Sequence, residues 1–145
     1  MNTTLLCASV LLLLAACGAK GTDTINPGAG KPPVSATEGH GTPHALGSLT
    51  IGAHTFQVTQ LGDITPGNEG AIELAFPTDK PVPSSARLWV GIESGEGSMK
   101  QKCGKEGEHG LHCHIDVPKM LPTGSKLWIE IEANGQTQRG SVAWK

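Results

Sequence analysis

Residues 127–142 read LWIEIEANGQTQRGSV and carry the strongest structural signal in the chain. From residue 127 to residue 131 every second side chain is a large aliphatic one, which is the period of a strand with one buried face. Asn134 and Gly135 follow, and this pair favours a two-residue hairpin turn because both residues tolerate positive φ. The stretch therefore predicts a β-hairpin.

The register of this hairpin can be judged from side-chain chemistry. A two-residue turn at 134–135 places Leu127 opposite Val142 and Glu130 opposite Arg139. An apolar residue then meets an apolar one and an acid meets a base, and both pairings stabilise antiparallel strands. The sequence therefore predicts the register as well as the turn.

Upstream of the hairpin, from residue 46 onward, the chain keeps the same alternation between turn signals. No segment shows helical periodicity, and 20 Gly and 10 Pro disfavour long helices. About seven to eight short strands in one domain of this size predict an all-β fold, an immunoglobulin-like antiparallel β-sandwich. The predicted strands are 48–51, 55–59, 71–76, 86–92, 98–103, 111–117, 127–131 and 136–144.

Composition and motifs argue against several classes of function. A net charge of -2, from 11 Lys and Arg against 13 Asp and Glu, provides no basic surface for a nucleic acid. The sequence contains no nucleophile elbow, no metalloprotease helix motif and no Gly-rich phosphate loop. We therefore expect a protein that is not an enzyme and does not bind nucleic acid.

The N-terminus carries an apolar run at residues 5–16 that contains no charged side chain. It is too short for a membrane-spanning helix, which needs about 20 residues, and it has the length of a signal-peptide core. The run ends in Leu14-Ala15-Ala16-Cys17, which resembles the lipobox of bacterial lipoproteins. The resemblance implies a signal peptide at 1–16 that is removed before Cys17, and acylation of the Cys17 thiol and new amino group.

The same resemblance carries an expectation about location. Gly18 stands where lipoproteins retained at the inner membrane have Asp, so the protein is expected at the outer membrane, facing the periplasm. Two or more acyl chains hold a protein stably at a membrane, because each buried methylene contributes about 0.8 kcal/mol. The lipid is therefore the predicted membrane contact.

Residues 17–45 are rich in Gly, Pro, Ser and Thr and have few large apolar side chains. Such a segment buries too little surface to offset its ordering entropy, so it is predicted to be a flexible tether before a β-sandwich domain at 46–145. His40 and His44 fall in the predicted tether, where ligand binding would cost ordering entropy, and they are left out of the candidate site.

The layout of the domain, with a Pro-Gly corner leading into a late alternating strand, resembles the small copper-associated periplasmic β-sandwiches, the CopC-like and YtkA-like domains. The resemblance implies a place in metal handling, with Cu or Zn as the expected ion. It carries over no ligands, because CopC-like sites use a free N-terminal His amine and this mature chain would begin with acylated Cys17.

Cys103 and Cys113 remain after the signal and lipobox are set aside, and thiols in an oxidising compartment usually pair. The alternative is that both thiols are soft metal ligands. If the two face each other across a hairpin, Lys102 lies opposite His114. The same register also places Met99 opposite Val117, Lys100 opposite Asp116 and Gln101 opposite Ile115.

His112 and His114 lie two apart on a predicted strand, so both imidazoles project from one face. His109 in the adjoining turn is a candidate third ligand, and three imidazoles suit Zn or Cu. The alternative is a hydrated strand face without an ion, which the ammonium of Lys102 opposite His114 would favour. His54 is interpreted as a lone strand histidine.

Trp89 and Trp128 share strand faces with charged residues and are predicted to point away from the core. On neighbouring strands they would form an exposed apolar patch, which is typical of an interaction surface for an envelope protein partner. The alternative is that segment 94–114 folds over both rings and buries them.

Cys17→Ala is expected to abolish membrane attachment, because no thiol then accepts the acyl group. Radiolabelled palmitate should enter the wild type and not the variant. Cys7→Ser, which removes the other thiol of the same region, should keep both the label and the attachment. Recovery of the wild-type protein as soluble periplasmic material would contradict the prediction.

Overall fold

The computed structural model describes residues 39–145, and the predicted signal peptide, Cys17 and the predicted tether up to residue 38 lie outside that range. No helix within 39–145 is long and apolar enough to span a membrane. The described chain forms nine strands. They are β1 (Pro43–Ile51), β2 (His54–Leu61), β3 (Glu69–Ala75), β4 (Ser85–Gly91), β5 (Gln101–Lys102), β6 (Gly104–Glu106), β7 (Gly110–Asp116), β8 (Lys126–Ala133) and β9 (Gln136–Val142).

The strands form two antiparallel sheets with the orders β1-β2-β3-β7-β6 and β5-β4-β8-β9. Without β1, these orders correspond to A-B-E-D and C′-C-F-G of an immunoglobulin domain. Strand β1 is an additional edge strand that pairs with β2. The predicted all-β, immunoglobulin-like sandwich is therefore confirmed.

The hairpin of β8 and β9 forms in the predicted register. Leu127 pairs with Val142 and Glu130 pairs with Arg139. Asn134 and Gly135 have φ values of 53° and 72°, so both adopt the left-handed conformation that a tight hairpin turn requires.

The core lies between the two sheets. It is formed by the side chains that point inward, which are every second residue along a strand. Ile72 on β3, Leu88 on β4, Ile115 on β7 and Ile129 on β8 are all fully buried. Burying an aliphatic side chain of this size stabilises the fold by about 1.5–3 kcal/mol. The outward members remain available for other chemistry, and on β7 they are the histidines.

Cys103 and Cys113 form a disulfide, which confirms the predicted pair. Cys113 lies in the core, fully buried, and Cys103 is at its edge. Both sulfur atoms are consumed in this bond, so the alternative of two soft thiol ligands does not describe this structure.

The predicted register before Cys103 is wrong. Gly104 pairs with His112, which is the register that facing cysteines imply, but at Cys103 the chain crosses to the other sheet, where Lys102 pairs with Arg87. The crossing is fixed by the N–H of Cys103, which donates to the carbonyl oxygen of Ala86 at 3.0 Å. The facing pairs predicted for residues 99–102 with 114–117 therefore do not form.

The folded part also begins earlier than the predicted boundary at residue 46. Strand β1 starts at Pro43, within the segment predicted to be tether, and His44 pairs with Gln60. Residues 43–45 lack a clear alternating signal, and the pairing offered by β2 overrides their weak local preference.

Reducing the disulfide is expected to lower the free energy of unfolding by about 2–3 kcal/mol without unfolding the domain. The bond closes a loop with a sequence separation of 10 and thereby reduces the conformational entropy of the unfolded chain. The folded domain is stabilised mainly by its hydrophobic core, so it should remain folded without the bond. Urea denaturation of oxidised and reduced protein measures the difference. Equal midpoints for the two forms would contradict it, and Cys103→Ala/Cys113→Ala should behave as the reduced form does.

Candidate metal centre

His112 and His114 project from the outer face of β7, where the strand period places both side chains on one side of the sheet. Their ring centroids are 4.9 Å apart. On the β6 side, the residue directly opposite His112 is Gly104, which has no side chain. The alternation that buries Cys113 is what turns its two neighbours outward.

His40 joins these two histidines, although it was predicted to belong to the tether. Its ring centroid lies 5.2 Å from that of His112 and 5.0 Å from that of His114. One ring nitrogen from each of the three residues lies within 4.8 Å of the others. The structure therefore brings together three imidazoles from two separate segments of the chain.

A close backbone approach at Gly62 holds His40 in this place. Gly62 has φ +69°, and its N–H donates to the carbonyl oxygen of Thr42 at 2.9 Å. A Cβ at Gly62 would lie 2.1 Å from the carbonyl oxygen of His40, and a Cβ at Gly41 would lie 3.0 Å from the Cα of Gly62. Only glycine at these positions lets the segment before β1 lie so close to the end of β2.

His109, the predicted third ligand, is not part of the group. Its carbonyl oxygen accepts a hydrogen bond from the N–H of Phe76 at 2.8 Å, and its Nε2 lies 3.9 Å from Glu108. Its Nδ1 is buried and has no hydrogen-bond partner among residues 39–145. The His109 ring therefore does not join the rings of His112 and His114 on the strand face.

The remaining histidines have separate surroundings. Nε2 of His44 lies 3.8 Å from the carboxylate of Asp63, and His54 makes an edge contact with the ring of Phe76. Neither belongs to the group of three imidazoles.

Glu69 orients His114. Nδ1 of His114 lies 2.8 Å from Oε1 of Glu69. A carboxylate only accepts hydrogen bonds, so this contact places the imidazole proton on Nδ1 and leaves the lone pair on Nε2. Such an outer carboxylate fixes the ring and makes it a better ligand.

Glu73 and Glu106 bring two further carboxylates to His112. Glu73 is the β3 partner of His112, and Oε2 of Glu106 lies 3.8 Å from Nδ1 of His112. One ligand atom from each of these three residues lies within 4.8 Å of the others. Burial and the charge of Glu106 raise the pKa of Glu73, while His112 and His40 act in the opposite direction.

The lysine that argued against a cation is not opposite His114, because Lys102 pairs with Arg87 in the other sheet. Lys100 also lies on that sheet's face, with its Nζ 3.2 Å from Glu130. Three imidazole nitrogens with adjacent carboxylate oxygens form a donor set that suits Zn(II) or Cu(II). The geometry and the charges both fit a bound cation.

Trp89 and Trp128 lie opposite each other on β4 and β8, with their rings stacked at a centroid distance of 6.3 Å. Trp89 is fully buried and Trp128 is half-buried. Lys100 lies over Trp89, with its Nζ 4.3 Å from the ring centroid. Nε1 of Trp89 donates a hydrogen bond to the carbonyl oxygen of Ile92 at 2.8 Å. Of the two alternatives for these rings, burial by the segment after β4 is therefore the one that holds for Trp89, and Trp128 is partly covered.

Comparison with known protein families, with curated proteins and with solved structures gives no match for this chain.

Gly62→Ala is expected to displace His40 from His112 and His114, because the new methyl group would occupy the position of the His40 carbonyl oxygen. Proton NMR should show the loss of contacts between the His40 ring and the other two. Gly124→Ala is the matched control, since Gly124 also has positive φ, +81°, and its Cβ would meet nothing within 4 Å. Persistence of the His40 contacts in Gly62→Ala would contradict this account.

Proposed function

We propose that this chain is a non-enzymatic, lipid-anchored protein of the bacterial envelope that binds Cu or Zn and acts as an accessory in metal handling. The observation that carries the proposal is the group formed by His40, His112 and His114, whose ring nitrogens lie within 4.8 Å of one another. Two ligands on one strand and a third from a distant segment are typical of a site that is built by the fold.

The anchor and the location rest on the sequence. The lipobox-like Leu14-Ala15-Ala16-Cys17 supports acylation of Cys17, and Gly18 supports the outer membrane with the domain facing the periplasm. The resemblance of the domain to CopC-like and YtkA-like sandwiches supports the same kind of function. An oxidising periplasm also suits the disulfide.

The alternative was an envelope-assembly module that uses an exposed Trp89 and Trp128 face. Trp89 is fully buried under Lys100, so the surface on which that alternative depended is not exposed. We therefore place the metal-binding function first.

His40→Ala, His112→Ala and His114→Ala are each expected to weaken Zn(II) or Cu(II) binding at least about tenfold, which corresponds to about 1.4 kcal/mol. Each substitution removes one nitrogen from the donor set. Competition titration of the full mature chain in detergent gives the affinity, and the wild type should bind in a defined stoichiometry.

His109→Ala and His54→Ala are the matched controls, because both remove an imidazole that lies outside the group of three. Both should bind the ion as the wild type does. Equal losses in the controls and the site variants, or no saturable binding by the wild type, would contradict the proposed function.

A further inference from the structure

We propose that Glu73 and Glu106 contribute carboxylate oxygens to the ion held by the three histidines, and that they make the site selective for Zn(II) or Cu(II) over Cu(I). This inference rests on the proposed function and goes further, because it names the charge class of the ion and two residues that select it. The carboxylates and the imidazoles meet at His112.

The sheet places the two carboxylates on either side of His112. Glu73 is its direct partner on β3, and Glu106 comes from β6, which pairs with the other edge of β7. Directly opposite residues of antiparallel strands have Cβ atoms about 4.5–5.5 Å apart, which is within reach of a common ion. Glu106 pairs with Gly110 and is therefore the diagonal neighbour of His112, with its Oε2 3.8 Å from Nδ1 of His112. Both carboxylates thus lie on paired strands.

The distances require little closure around an ion. Ligand atoms of Glu73, Glu106 and His112 lie within 4.8 Å of one another, as do those of the three histidines. Two atoms bound at about 2.1 Å to the same tetrahedral ion are about 3.4 Å apart. Side-chain movements of about an ångström therefore bring either group to coordination distances.

The charges around Glu73 are unbalanced without a cation. Within the described part of the chain, Glu73 has no ion-pair or hydrogen-bond partner, and the ion pair of Glu106 is with His112 alone. Two carboxylates beside the same imidazole repel each other when both are anionic. A divalent ion between these residues would offset that repulsion.

Glu130 is a carboxylate of the same domain whose charge is balanced by ion pairs within the protein. Glu130 is almost fully buried, and Lys100 and Arg139 place nitrogens 3.2 Å from its Oε2, while Arg87 lies 3.9 Å from its Oε1. The protein surrounds this buried acid with three Lys and Arg side chains, whereas the basic groups near Glu73 are the imidazoles of His112 and His40. The difference points to a cation from solution as the partner of Glu73.

The chemistry of the donors favours a divalent ion. Cu(I) prefers thiolate and thioether sulfur, whereas carboxylate oxygen and imidazole suit Zn(II) and Cu(II). Cys103 and Cys113 are joined in a disulfide and offer no thiolate. A charge of two also gains twice as much as a charge of one from the same pair of carboxylates.

The test uses Glu73→Gln and Glu106→Gln in the full mature chain, with Zn(II), Cu(II) and Cu(I) titrated separately against competing chelators, the last under anaerobic conditions. Each variant should weaken Zn(II) and Cu(II) binding at least about tenfold and change Cu(I) binding by less than about twofold. The electron paramagnetic resonance spectrum of the Cu(II) form should also shift, because an oxygen ligand is lost.

Glu108→Gln is the matched control, since it removes the same charge from an exposed loop carboxylate that belongs to neither group. It should leave all three affinities and the spectrum unchanged. With Zn(II) in excess, Glu73→Gln should have a lower thermal midpoint than the wild type, because the bound ion loses one carboxylate ligand.

The outcomes separate this inference from the proposed function. If His112→Ala abolishes Zn(II) binding and Glu73→Gln does not weaken it, the inference is overturned and the proposed function stands. Equal loss of Cu(I) and Zn(II) affinity in the Gln variants would also overturn it, because the carboxylates would then act without selecting the charge of the ion. If the wild type binds no ion in a saturable way, both fail.

Discussion

The pairing of β3 with β7 is the constraint on which the rest of the candidate site depends. It sets Ile72 against Cys113 in the core and Glu73 against His112 on the outer face. A slip by one residue would turn both imidazole-bearing positions of β7 into the core and expose Cys113, with the loss of its disulfide geometry. The inward and outward side chains alternate along the same two strands. Burial of the apolar inward residues therefore also fixes the positions of the polar outward residues.

The crossing at Cys103 then separates the charges of the molecule. The residues before it, including Lys100 and Lys102, join the β4–β8 sheet, where the ammonium of Lys100 neutralises the buried Glu130. The residues after it form β6 and carry Glu106 to His112. A continuous hairpin would have put Lys102 across from His114 and Lys100 across from Asp116. The disulfide stabilises the arrangement, because it ties the crossing point to the strand that bears the imidazoles.

Local patterns predicted most of the fold and only part of the site. Alternation and the Asn134-Gly135 turn are properties of neighbouring residues, so the strands and the last hairpin could be read from the sequence. The position of His40 depends on a contact with Gly62, which is distant in the chain, and no periodicity reports it. Trp89 alternates as an outward residue does, yet a later segment covers it. A cross-strand partner such as Glu73 requires the order of strands within a sheet, which local patterns do not contain.

The three proposed ligands differ in how firmly the fold holds them, because two lie on a paired strand and the third lies outside the strands. His112 and His114 lie on a strand that is paired on both sides, and Glu69 fixes the ring of His114. His40 lies outside the strands between Gly39 and Gly41, and its segment is held by the close approach to Gly62 and one backbone hydrogen bond from Gly62 to Thr42. Such a bond contributes about 0.5–1.5 kcal/mol, much less than the free energy of unfolding of a typical domain. In the proposed site, His40 is therefore the ligand whose position depends least on the pairing of the sheet.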